Sequence, residues 1–151
     1  MFRGINQLTL DDKGRLAMPA RHREQIRLET DGQIVITIDT ESPCLLAYPL
    51  NEWEKIEKKL IQLPSFHPIA RKVQRLLLGH ASEASLDGHG RFLIPSALRE
   101  FAKLQKEVVM IGQGHKFELW DAQLWQTTRD NLLESTLSLE QLPEELKSIS
   151  L

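Results

Sequence analysis

Residues 11–24, DDKGRLAMPARHRE, return at residues 87–100 as DGHGRFLIPSALRE. At a constant offset of 76, Asp11 falls on Asp87, Gly14 on Gly90, Arg15 on Arg91, Pro19 on Pro95, Arg23 on Arg99 and Glu24 on Glu100. The apolar positions Leu16 and Met18 fall on Phe92 and Ile94. Further along, the match resumes at an offset of 72, where Tyr48 meets Trp120 and Trp53 meets Trp125. The first copy therefore carries four extra residues, expected in the loop around Asp39–Pro43. So many identities in one order across two halves mark a tandem duplication.

Each copy predicts the same elements. Leu8-Thr9-Leu10, the turn Asp11-Asp12-Lys13-Gly14 and Arg15-Leu16-Ala17-Met18 read as strand, tight glycine turn and strand, a hairpin. Pro19 suits a first helical turn, and the helix runs to about Arg27 with Ile26 as an inward anchor. After the Asp31-Gly32 turn come strands Ile34–Ile38 and Cys44–Tyr48, then a helix capped by Asn51 that carries Trp53, Ile56, Leu60 and Leu63 at helical spacing. The second copy repeats the order with Ser85–Asp87, Arg91–Ile94, a helix from Pro95, strands Val108–Ile111 and Lys116–Trp120, and a helix capped by Asp121. Pro64 ends one helix and Pro68 opens another bearing Ile69, Val73, Leu76 and Leu77, so the connector is structured.

The expected organisation is a first unit over 1–63, a helical connector over 64–80, a second unit over 81–134 and a tail over 135–151. A unit of about 65 residues buries too little surface to be stable alone, so the copies should share one core. The fold class is α+β and β-rich, with flanking helices.

The net charge is −2, but its distribution alternates: +3 over residues 1–27, −4 over 28–70, +4 over 71–106 and −5 over 107–151. If both basic segments reach one face, that face can hold a phosphate backbone despite the overall sign. No apolar run approaches the roughly 18 residues needed to span a bilayer, and the opening MFRGIN lacks a signal peptide's apolar stretch. A cytoplasmic protein is the expectation, with no membrane partner. The lone cysteine, Cys44, permits no intramolecular disulfide and reads as a small buried hydrophobe.

Catalytic patterns are missing from the sequence. The serines sit in no nucleophile elbow, Cys44 has no evident His partner, and His22, His67, His80, His89 and His115 form no HExxH. Asp87-Gly88-His89-Gly90 is glycine-rich but opens a strand, which makes it a hairpin turn and not a nucleotide cradle. The chain is read as a non-enzyme without cofactor or metal.

What recurs is D-x-x-G-R. Asp11 and Asp87 can orient Arg15 and Arg91 across their turns, and an arginine's planar fork matches guanine and phosphate acceptors. A structural ion pair is the plainer reading, and the two are compatible. Candidate DNA-binding residues are Arg3, Lys13, Gly14, Arg15, His89 and Arg91, with Asp11 and Asp87 orienting the turns. The second turn is less basic, with His89 where the first has Lys13.

The opening MFRG, the LDDKGR and PARHRE runs that follow it, the LDGHGRFLIP segment and the 76-residue repeat together resemble the MraZ family of bacterial regulators, over nearly the whole chain. One such copy alone is similar to the wider AbrB/SpoVT superfamily. The resemblance implies two interleaved AbrB-like units in a swapped-hairpin β-barrel with a pseudo-two-fold core. It also implies sequence-specific binding of promoter DNA at direct repeats upstream of the protein's own division and cell-wall operon, with repression, by a homo-oligomer, commonly a ring. Two alternatives stay open here: a barrel whose basic turns bind an anionic metabolite, and an antitoxin that neutralises a toxin.

Overall fold

Thr9 pairs with Glu107 and Ser85 pairs with Gln33, so each copy's first strand is built into the other copy's sheet. The computed structural model describes residues 1–135 and 143–149. Its strands are β1 (Phe2–Thr9), β2 (Arg15–Ala17), β3 (Gln33–Ile38), β4 (Leu45–Pro49), β5 (Ser82–Ser85), β6 (Arg91–Leu93), β7 (Glu107–Gly114) and β8 (Phe117–Asp121). The helices are α1 (Ala20–Thr30), α2 (Leu50–Ile61), α3 (Pro68–Val73), α4 (Ser96–Phe101), α5 (Ala122–Glu134) and α6 (Glu144–Lys147), with a π-helical turn at Gln74–Leu78.

Six strands form one antiparallel sheet in the order β1-β7-β8-β4-β3-β5, and β2 and β6 form a separate ribbon. Every sheet pairing except β3·β4 and β7·β8 joins one copy to the other. The expected hairpins are therefore corrected. The arms β1 and β2 leave a shared turn but pair with β7 and β6, and β5 and β6 pair with β3 and β2. The physical reason lies in the side-chain alternation. Leu16 and Phe92 oppose each other and are buried, at 0% and 1% exposure, so the two short strands bury more by meeting than by folding back. The sheet stays open, with β1 and β5 as its edges, because β2 and β6 pair with each other and bridge neither edge; the six strands do not close into a barrel.

The core is common to both copies. Phe2, Leu16, Met18, Ile26 and Ile34 share one buried cluster with Phe92, Ile94, Leu98, Met110 and Phe117. Two smaller clusters flank it and repeat one another. Tyr48 packs on Trp53 under α2, and Trp120 on Trp125 under α5, each with ring centroids 5.6 Å apart.

Strand register also relocates the four extra residues. Thr9 and Ser85, 76 apart, face Glu107 and Gln33, so those two correspond at an offset of 74. Ile34 and Val108, also 74 apart, face Pro49 and Asp121, which are 72 apart. Two of the extra residues thus lie before β3, where α1 has 11 residues against 6 in α4, and two lie in the β3–β4 loop. The expected Asp39–Pro43 loop holds only half of the insertion.

Helix caps differ in part from expectation. Asp121 caps α5, its carboxylate accepting from Leu124 N–H at 3.2 Å. Asn51 does not cap α2, which starts one residue earlier behind Pro49; its Oδ1 accepts from Glu52 N–H instead. The connector helix α3 opens at Pro68, with His67 Nδ1 accepting from Ile69 N–H. Of the tail expected over 135–151, residues 136–142 and 150–151 lie outside the described residues. Among the described residues, no helix is long and apolar enough to cross a membrane.

Candidate nucleic-acid interface

The two D-x-x-G-R turns have the same internal geometry. Asp11 Oδ1 accepts from Lys13 N–H at 2.9 Å and from Arg15 N–H at 2.8 Å, and Oδ2 accepts from Arg15 Nε at 2.7 Å. Asp87 Oδ1 accepts from His89 N–H and Arg91 N–H, both at 2.9 Å, and Oδ2 from Arg91 Nε at 3.0 Å. Each carboxylate thus closes its turn through the backbone and fixes the root of its arginine through the side chain. Gly14 and Gly90 have φ of 82° and 76°, the left-handed region in which a Cβ is strained.

Hydrogen bonds to a carboxylate favour its ionised form. The Arg91 N–H, with the bonds from His89 N–H and the Arg91 side chain, holds Asp87 down at about 2. The Arg15 N–H, with the Arg15 side chain and Lys13 N–H, holds Asp11 below its ordinary value. Both turns are therefore fixed, ionised struts at neutral pH.

The β2–β6 ribbon decides how the turns relate. Arg15 lies opposite Leu93, and Ala17 opposite Arg91. Because alternate residues share a face, Arg15, Ala17, Arg91 and Leu93 form the outward face while Leu16 and Phe92 point into the core. Arg15 and Arg91 are diagonal neighbours on that face, about 7–8 Å apart for such positions. Lys13 and His89 are exposed at the turn tips, which flank the antiparallel ribbon at its two ends. Gly14 is buried and serves the backbone.

Arg3 is placed elsewhere. It is exposed on edge strand β1, opposite Gln113, beside Gly4, over which the Arg21 guanidinium packs. Arg21 also donates to Asn6 Oδ1 at 2.9 Å. Arg3 lies six positions before Thr9 at the turn end of β1, roughly 20 Å of strand. The fold brings Lys13, Arg15, His89 and Arg91 together and leaves Arg3 outside their cluster.

Arginines of the following helices complete the turns. Arg23 of α1 lies against Gly90, where any Cβ would run into its guanidinium, and its Nη2 donates to Met18 O at 2.9 Å. Arg99 of α4 lies likewise against Gly14, and its Nε donates to Ile94 O at 3.1 Å. The signal for these residues was in the repeat, which duplicates Arg23 as Arg99. Their role was not legible there, because each touches the turn of the opposite copy.

One further group brings possible metal ligands together. Asp39, Cys44 and Glu118 offer atoms within 4.8 Å of one another. Burial, with the Glu118 and Asp39 charges, pushes the Cys44 thiol far up, so it stays protonated and points at Asp39 Oδ2 across 3.6 Å. Glu118 Oε1 is occupied by the Trp120 indole N–H at 3.1 Å. Cys44 itself is fully buried.

A duplicated α+β chain, its copies exchanging strands and setting paired Asp–Gly–Arg turns on one ribbon, is the class that these observations define. The family model described as "MraZ protein, putative antitoxin-like" matches twice, over residues 1–76 and 77–148. The chain is 55% identical to the transcriptional regulator MraZ of Halorhodospira halophila over 152 aligned residues that span both chains in full. It is 55% identical to the protein of that name from Hydrogenovibrio crunogenus, covering 99% of this chain and 98% of the relative. It is 54% identical to that of Coxiella burnetii over both full lengths. The chain belongs to the MraZ family.

Proposed function

We propose that this chain is a sequence-specific DNA-binding transcription regulator whose β2–β6 ribbon and two flanking turns enter the major groove. A major groove about 12 Å wide admits a two-stranded β-ribbon. The observation that carries the reading is the outward pairing of Arg15 and Arg91 on a ribbon made by both copies, each root held by its own aspartate. Arg15 and Arg91 read base edges or phosphates, Lys13 and His89 reach the flanking backbone, and Gly14 lets the first turn close. Arg3 makes a peripheral phosphate contact at most.

The strand exchange between copies is read as the swapped-hairpin arrangement of AbrB-like units, over 1–63 and 81–134 with a connector at 64–80. The relatives' name supports transcription regulation. The finer reading is repression, in the cytoplasm and on the nucleoid, at direct repeats upstream of the chain's own division and cell-wall operon. Repeated boxes suit a homo-oligomer, commonly a ring, because several subunits engaged at once raise avidity.

A gel shift on DNA from upstream of the chain's own gene, with a scrambled duplex as competitor, tests the reading. Retention of the upstream fragment under excess competitor is the expected result. Equal competition by the scrambled duplex overturns sequence-specific binding. Light scattering tests the assembly: a mass well above the 17.3 kDa of one chain is expected, and a strict monomer overturns the oligomer.

A further inference from the structure

Arg23 is duplicated as Arg99, yet neither side chain joins the outward face of the ribbon. Arg23 is turned inward against Gly90, which belongs to the other copy. The same junction is sealed by backbone, since Met18 N–H donates to Gly90 O at 2.8 Å. No acceptor among the described residues reaches the buried Nε of Arg23. A buried donor left unpaired costs free energy, so the flat contact with the turn must outweigh that cost. One helical turn on, Arg27 donates to Asp87 O at 2.8 Å.

The reciprocal junction is weaker. Arg99 lies against Gly14, and Ile94 N–H donates to Gly14 O at 2.9 Å. The position equivalent to Arg27 is Lys103. Because α4 ends at Phe101, Lys103 lies beyond the helix in left-handed backbone, φ 54°. Among the described residues it makes no bond to the first turn.

We propose that Arg23 and Arg99 are positioning residues acting across the duplication, each holding the DNA-reading turn of the opposite copy, and that the second turn is the more firmly held. The proposal rests on the reading of these turns as DNA contacts. Each copy's helix thereby braces the other copy's turn from outside, beside the aspartate that closes it from within. Arg23 supplies shape and not charge to the interface.

The test uses the full-length, isotope-labelled chain, first without DNA. Arg23→Met should shift and deprotect the amides of His89 and Arg91 while leaving Lys13 and Arg15 unchanged; Arg99→Met should do the reverse. Perturbation confined to the variant's own copy, or to neither turn, overturns the proposal. If Arg23→Met does not fold, the exposed Arg27→Met should still shift the second turn alone, and its silence overturns the firmer hold.

Binding to the upstream duplex is the second arm. Arg23→Met should weaken affinity about tenfold, within the range of one lost base-reading pair, with the slope of log affinity against log salt unchanged. A slope reduced by about one marks a direct phosphate contact and overturns the positioning role. Arg23→Lys should not rescue, because an ammonium lacks the flat fork; full rescue by lysine overturns it as well. Should the parent chain bind no DNA, the functional reading fails while the amide arm still decides the clamp.

Discussion

Arg15 and Arg91, 76 residues apart in sequence, are diagonal neighbours on the outward face of one three-residue ribbon. Each is set by an aspartate four residues before it, at 2.7 Å and 3.0 Å. Two copies of one pattern thus build one patch, and their substitutions are expected to act on it unequally.

Arg15→Ala should abolish discrimination of the upstream fragment while the fold stays intact. The half-exposed turn pair contributes little stability, whereas a lost base-reading fork costs about 1–3 kcal/mol of specificity. Arg91→Ala should weaken binding less, because its turn carries His89 where the first has Lys13. Gel shifts with circular dichroism as a folding control check both. Parental binding by folded Arg15→Ala removes the first turn from the interface.

Binding should weaken steeply with salt, since lysine and arginine release counterions when they meet phosphates. For several contacts, affinity should fall by orders of magnitude between about 50 and 200 mM salt. Fluorescence anisotropy on a labelled upstream duplex measures this, and a flat response contradicts the electrostatic reading.

The turns should survive mild acid and loosen only in strong acid. Asp87 titrates at about 2 in the folded chain against an ordinary carboxylate value of about 4. Its depressed value means that the unfolded chain binds the proton more readily, so the Asp87 contribution is fully present above about pH 4. It is lost as pH falls from there toward 2. Amide shifts of His89 and Arg91, followed by NMR from pH 5 to 2, should hold steady until the pH nears 3 and move below it, toward a midpoint at about 2, and Asp87→Asn should remove the transition. Movement already complete at pH 5 refutes the assignment.

Phe92→Ala should destabilise the whole chain by about 3–5 kcal/mol, because Phe92 is 1% exposed in the core that both copies build. Denaturant unfolding should stay a single transition, since the main core is common to both copies. A fragment ending at residue 80 should fail to fold. Two resolved transitions, or a folded fragment, contradict the shared core.

The sequence alone determined the duplication, the glycine turns and the aspartate–arginine spacing. These are local facts: a left-handed position demands glycine, and a carboxylate four residues before an arginine can close their common turn. It also marked Leu16 and Met18 as apolar positions that the repeat returns as Phe92 and Ile94. Only the tertiary structure decided which strands meet. A hairpin between β1 and β2 and an exchange of strands between copies satisfy the same local pattern. Burial chose between them, since Leu16 meeting Phe92 closes a core that neither copy can close alone. That choice puts Arg15 beside Arg91 and Arg23 against Gly90, relations across dozens of residues that no local spacing encodes.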